Sequence, residues 1–152
     1  MENKEVELEN EQQPETQEAW VGAASRTSSW RERLRAVEEL SKWDNKLTVT
    51  VLTHRMRDDK VFKVQEAAYR KLRELGEDVQ LPAKNKGELF KGVGKILLRI
   101  KKSLPADHPF EEFKEKLKRT RLDVYDAYEG HMGDEFERWL EETWSGLGGK
   151  KA

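Results

Sequence analysis

The stretch DDKVFKVQEAAYRKLRELG, Asp58 to Gly76, decides the fold. Val61, Val64, Ala68, Leu72 and Leu75 recur three or four residues apart, which places them on one side of an α-helix. Lys63, Glu66, Arg70, Arg73 and Glu74 fall between them, so the other side is charged. Two acids precede the pattern, where they suit the positive end of a helix dipole. Gly76 follows it, where a left-handed residue commonly ends a helix. A helix of this kind is stable only when its apolar stripe is covered. The flanking segments must therefore carry apolar faces of their own.

They do. WRERLRAVEELSKW, residues 30–43, sets Trp30, Leu34, Val37, Leu40 and Trp43 at helical spacing, with Ser28 or Ser29 as a cap. Asp44-Asn45 reads as a turn. KLTVTVLTHRMR, residues 46–57, has two readings. The alternation Thr48-Val49-Thr50-Val51 suits a strand, while Leu47, Val51, Leu52 and Met56 share a helical face. A lone strand would find no pairing partner and would leave backbone groups unsatisfied, so a helix is expected.

EDVQLPAKNKG, residues 77–87, reads as a linker. ELFKGVGKILLRIKKSL, residues 88–104, predicts a helix with Leu89, Val93, Ile96, Ile100 and Leu104 on one side. Lys91, Lys95, Arg99 and Lys102 lie on the other. PADHP breaks the chain at 105–109. Residues 110–130 then give Phe110, Phe113 and Leu117, followed by Leu122, Tyr125 and Tyr128, as two helices or one bent helix. Asp134 is expected to cap EFERWLEETW, with Phe136, Trp139, Leu140 and Trp144 inward.

A shift of 32 residues lays the first of these helices on the third. Trp30 meets Phe62, Arg31 meets Lys63, Ala36 meets Ala68, Val37 meets Tyr69, Leu40 meets Leu72 and Trp43 meets Leu75. A small Ala at a fixed place lets helices approach, and the Leu one turn later fills the space between layers. On these residues the chain resembles the HEAT-repeat family. Asp58 or Asp59, Val64, Ala68, Leu72, Leu75 and Gly76 fill the places of that family's second-helix pattern. Its Arg place is Gln65 in this copy and Arg33 in the first, where Glu32 replaces the expected Val. The match covers residues 28–80, and the whole chain resembles small bacterial HEAT-domain proteins with a C-terminal helical extension.

That resemblance implies an all-α fold, a short HEAT-like α-solenoid closed by C-terminal helices. The expected organisation is an acidic disordered leader over 1–26 and one helical domain over 27–147. Within it, 27–80 holds HEAT-like repeats and 86–147 the capping helices, and a tail follows over 148–152. Stacked repeats need about three units to bury their faces. The C-terminal aromatic residues are expected to close the open end.

Composition bounds the rest. Charged residues make up 39% of the 152 and hydrophobic ones 36%, which favours a small core under a large solvated surface. Residues 1–19 hold seven glutamates and one lysine, leaving a net +5 in residues 20–152. The leader is expected to solubilise the protein, or to screen the basic helix. The absence of cysteine excludes disulfides and thiolate metal sites. No apolar N-terminal run suggests a signal peptide, so a cytoplasmic protein is expected.

No catalytic constellation emerges. His54, His108 and His131 show no metal-ligand spacing and read as surface or turn histidines. GELFKGVGKI, residues 87–96, departs from a phosphate loop: an extra Val-Gly intervenes, Ile96 replaces the hydroxyl residue and no strand precedes it. Gly92 and Gly94 are expected to permit a close helix crossing or a kink. No cofactor, metal or small-molecule substrate is indicated, and an enzyme is the last of three options.

The leading expectation is a non-catalytic protein-binding module with an acidic protein partner, engaged by Arg31, Lys63, Arg70 and Arg73. The alternative is nucleic-acid binding by the basic helix 84–102 through Lys91, Lys95, Arg99 and Lys102, a stripe able to track phosphates. Aromatic residues are not interleaved with these lysines, which argues against single-strand stacking. A membrane is not expected, because the apolar face of the same helix is needed for the core.

Overall fold

The computed structural model describes residues 16–148, and among them all regular structure is helical. The helices are α1 Gln17–Ala24, α2 Trp30–Leu40, α3 Lys46–Asp58, α4 Phe62–Glu74, α5 Val93–Lys102, α6 Phe110–Thr120, α7 Leu122–Met132 and α8 Phe136–Gly146. A 3-10 turn over Gly133–Glu135 precedes α8. No described helix is long and apolar enough to cross a membrane. The chain divides into two compact units. One takes Arg31–Asp59, Lys63–Pro82 and the described residues through Arg26. The other takes Thr27–Trp30, Lys60–Phe62 and the described residues from Ala83 onward.

In the first unit the stretch that decided the fold forms α4. Val64, Ala68 and Leu72 are fully buried, as is Val61 of the second unit just before the helix. Burying a valine or leucine side chain stabilises by about 1.5–3 kcal/mol. Gly76, at φ +91°, ends the helix. The Gly76 amide donates to the Arg73 carbonyl at 3.0 Å and the Glu77 amide to Leu72 at 2.9 Å, the paired bonds of a Schellman stop. The ambiguous stretch at 46–57 is helical. Asn45 caps it by accepting from the Thr48 amide at 3.0 Å. Its inward residues are Thr48, Leu52 and Met56, whereas Leu47 is 44% exposed. Thr48 can be buried because its hydroxyl donates to the Leu40 carbonyl and accepts from Gln17.

The disordered leader expected over 1–26 needs correction from Thr16 on; residues 1–15 lie outside the described residues. Thr16 caps α1 by accepting from the Ala19 amide. Trp20, Ala23 and Ala24 are buried. Gln17 exchanges hydrogen bonds with Asn45, tying α1 to the start of α3. Eight residues with three buried side chains are too few to stand out as a periodic pattern, and tertiary packing supplies the stability that local preference lacks.

A charged cluster is buried in the same unit. Arg33 is 4% exposed and forks onto Asp59, with Nε to Oδ2 at 2.8 Å and a second bond to Oδ1 at 3.2 Å. It also donates to the Arg26 carbonyl, and Arg55 reaches Asp59 at 2.9 Å. Gln65, the 32-residue counterpart of Arg33, is also buried and donates to the Met56 carbonyl at 2.9 Å.

In the second unit α5 starts at Val93 and not near Glu88. Gly92 adopts φ +75°, a left-handed conformation that sets the helix boundary, and its amide donates to Glu88. Leu89, Val93 and Ile100 are buried as expected, Leu97 is buried beside them, and Ile96 and Leu104 are half-buried. Residues 110–132 form two helices that break at Arg121, with ψ +63°. Phe113, Leu117, Val124 and Ala127 are buried, while Leu122 is 40% exposed and was not an inward residue after all. Asp134 lies in the 3-10 turn, and no side chain caps α8.

Candidate functional site

The second unit contains a cleft of about 600 Å³ lined by α5, α7, α8 and the loop before α5. One wall is the first turns of α5, with Val93, Gly94 and Leu97. The opposite wall carries Tyr128 from α7 and Trp139 from α8, and the lip is the loop Lys84–Glu88. The aromatic wall is preformed. Tyr128 and Trp139 stack at 4.7 Å with 13° between their planes. The Tyr128 hydroxyl accepts from the Leu89 amide at 2.9 Å, which fixes the ring.

The lip is held as firmly. Asn85 accepts from the Gly87 amide at 2.8 Å and donates to the Glu88 carbonyl, closing a local turn. His131 anchors it. Its Nδ1 accepts from the Phe62 amide at 3.2 Å, so the ring proton sits on Nε2, which donates to the Asn85 carbonyl at 2.7 Å. His131 is thus a positioning residue, half-buried in the last turn of α7 and not in a turn as expected. His108 has a comparable role elsewhere in the unit, accepting from the Trp144 indole at 2.9 Å with Nδ1 against the Pro105 carbonyl. His54 is exposed on α3, 2.9 Å from Asp58. Among the described residues no group of three histidines or carboxylates stands where it could hold a metal ion.

The charged lip has an imbalance. Glu88 accepts from the Gly92 amide, and Glu135 pairs with Arg138. Lys84 and Lys86 form no ion pair among the described residues. Gly94 has no atom within 4 Å of the place a Cβ would occupy, so the close crossing expected there does not occur.

The residues singled out from the sequence fall as follows. Arg31, Lys63, Arg70 and Arg73 are all exposed. Arg31 and Lys63 are nevertheless engaged within the molecule. Arg73 lies 3.6 Å from Asp78 across a solvated surface. On α4, Lys63, Glu66, Arg70 and Arg73 span an arc of about 80° at the usual helical rotation. Lys95, Arg99 and Lys102 lie exposed along one face of α5, within about 60° of each other. Lys91 is exposed but belongs to the turn before the helix, so the expected four-residue stripe has three members on the helix. Lys101 faces elsewhere: its ammonium donates to the Trp144 and Leu147 carbonyls at the end of α8 and lies over the Trp144 ring.

Four ionisable groups near the α6–α7 junction are perturbed, among them Arg121, raised by its hydrogen bond to Asp123. Asp123 is held below the usual aspartate range by its hydrogen bonds to Arg121. Burial pushes the Tyr125 phenol up. The hydrogen bond to Glu137 raises Lys114. None of the four lines the cleft.

Sequence reading did not find the cleft. Its parts were visible as the inward Trp139 and Tyr128 and a glycine in an apolar helix, but their convergence is tertiary. No protein-family model, curated protein or solved structure matches the chain.

Proposed function

We propose that the protein is a non-catalytic protein-binding module in which α2 and α4 are the second helices of HEAT-like repeats. The observation that carries this reading is their matched burial at an offset of 32 residues. Ala36 and Ala68 are both fully buried, as are Leu40 and Leu72, and Arg33 and Gln65 are both buried with polar groups satisfied. Helices that share an inward pattern present a regular outward face, and repeat proteins bind along such faces. On α4 that face carries Arg70 and Arg73, with Lys63 on the same arc and Arg31 as its counterpart on α2. Its excess of positive charge suits an acidic protein segment. Charge reversal at Arg70 and Arg73 is expected to lower the affinity for such a partner while leaving the thermal midpoint within a few degrees. Retained affinity in the double variant would remove the basis of the proposal.

A second reading, nucleic-acid binding, is favoured by one observation: Lys95, Arg99 and Lys102 share an exposed face of α5. It predicts retardation of DNA or RNA in a gel shift at about 50 mM salt, lost as salt rises. No retardation at micromolar protein excludes it.

A further inference from the structure

We propose that the cleft of the second unit binds a small amphiphilic carboxylate: an apolar body between α5 and the Tyr128–Trp139 wall, and an anionic head at Lys84 and Lys86. This site is separate from the protein-binding face proposed above and does not depend on it.

Gly94 is the residue that motivates the proposal. It lies in the first turn of α5, with no left-handed φ to require a glycine and no neighbour to require the missing side chain. Glycine is the poorer helix former, so the fold gains nothing from it there. Its effect is on the cleft. Gly94 lines the cleft and no atom lies within 4 Å of where a Cβ would stand, so glycine leaves the α5 side of the cleft open.

The volume, about 600 Å³, lies in the range of small-molecule sites. The walls are mostly apolar, through Val93, Leu97, Met132 and Trp139, so the body of the ligand must be apolar too. The Tyr128 hydrogen bond and the Asn85–His131 tie hold the walls before any ligand arrives, which lowers the ordering cost of binding. Charge decides the head group. Glu135 is paired with Arg138, and Glu88 accepts from the neutral Gly92 amide, so Lys84 and Lys86 leave the lip with one net positive charge. The two lip ammonium groups have no counter-ion among the described residues. An anion is the complement the lip lacks.

The test uses the full chain, with hydrocinnamate as the anionic probe and hydrocinnamide as its neutral isostere, followed by two-dimensional amide NMR. Hydrocinnamate should shift the Gly94 and Leu97 amides and the Trp139 indole signal saturably, with a Kd in the millimolar range or below. The amide should bind about fivefold more weakly, the scale of one exposed charge contact. Lys84→Glu with Lys86→Glu should remove that preference and leave the affinity for the amide unchanged. Gly94→Leu should abolish binding of both probes with the thermal midpoint retained or raised. Thr143→Phe, which narrows the cleft from α8, should do the same and covers the case in which the first variant does not fold. No saturable shift at about 10 mM of either probe overturns the site. Equal affinity for acid and amide overturns the anionic head. A folded Gly94→Leu or Thr143→Phe variant that still binds overturns the location.

Discussion

Gly130 lies against the Trp30 indole so closely that a Cβ at 130 would come within 2.5 Å of the ring. The same indole donates from Nε1 to Glu129 at 2.9 Å, and the Trp30 amide donates to Asp126 at 2.7 Å. The ring is held at Nε1 and its backbone at the amide, so the indole cannot easily slide away. Gly130→Ala should therefore destabilise the protein by about 1–3 kcal/mol, the cost of overpacking a filled site. A urea midpoint that falls with an unchanged slope would bear this out, and an unchanged midpoint would contradict it.

Asp59 sits between Arg33 and Arg55 with its carboxylate fully buried. Arg33→Met removes the fork from that carboxylate and should cost about 3–5 kcal/mol, the range for breaking a buried pair. Arg33→Met combined with Asp59→Leu should recover a large part of the loss, because no buried charge is then left without its fork. Urea denaturation of the two single variants and the double variant gives the coupling directly. Additive losses would contradict a coupled cluster.

Trp20 tests whether α1 belongs to the folded protein. Trp20→Ala should cost about 3–5 kcal/mol if its buried ring is part of the core. A disordered leader would tolerate it without change. The same geometry fixes how the leader can be trimmed. Removing residues 1–15 spares α1, whereas a cut at residue 25 deletes it.

Asp123 sets a pH dependence. Arg121 holds its folded pKa below the unfolded value. Its contribution is then fully present above the ordinary aspartate range and is lost as pH falls through the lowered folded value. The pair is partly solvated, so the effect is modest and weakens with salt. Asp123→Asn should lower stability modestly at neutral pH, leave it nearly unchanged at acid pH, and so flatten the acid limb. An acid limb identical to wild type would contradict the assignment.

Much of the fold was legible because local patterns agreed with the global packing. The α4 stripe and its Gly76 stop were read correctly from spacing alone, and the strand alternative at Thr48–Val51 failed for want of a pairing partner. Other features were set by tertiary context. The start of α5 depends on the left-handed Gly92, and a periodic reading runs straight through such a residue. Leu122 was assigned inward by its apolar character, but the chain breaks at Arg121 and the phase of α7 turns Val124 and Ala127 in its place. Arg33 was read only as the Arg of the repeat pattern, and the position of Asp59 shows why it is buried. The cleft depends on a lip held by His131, and no spacing rule links residue 131 to Asn85.

The most direct test of the protein-binding claim compares charge reversal on two faces. One variant carries Arg70→Glu and Arg73→Glu, and the other Lys95→Glu, Arg99→Glu and Lys102→Glu. Binding of each to an acidic partner peptide, selected against the wild-type chain, would be measured by calorimetry at moderate salt. The account predicts a loss of about tenfold or more for the α4 variant and little change for the α5 variant, each with its circular dichroism intact. The reverse pattern, with binding lost only on α5, would contradict it.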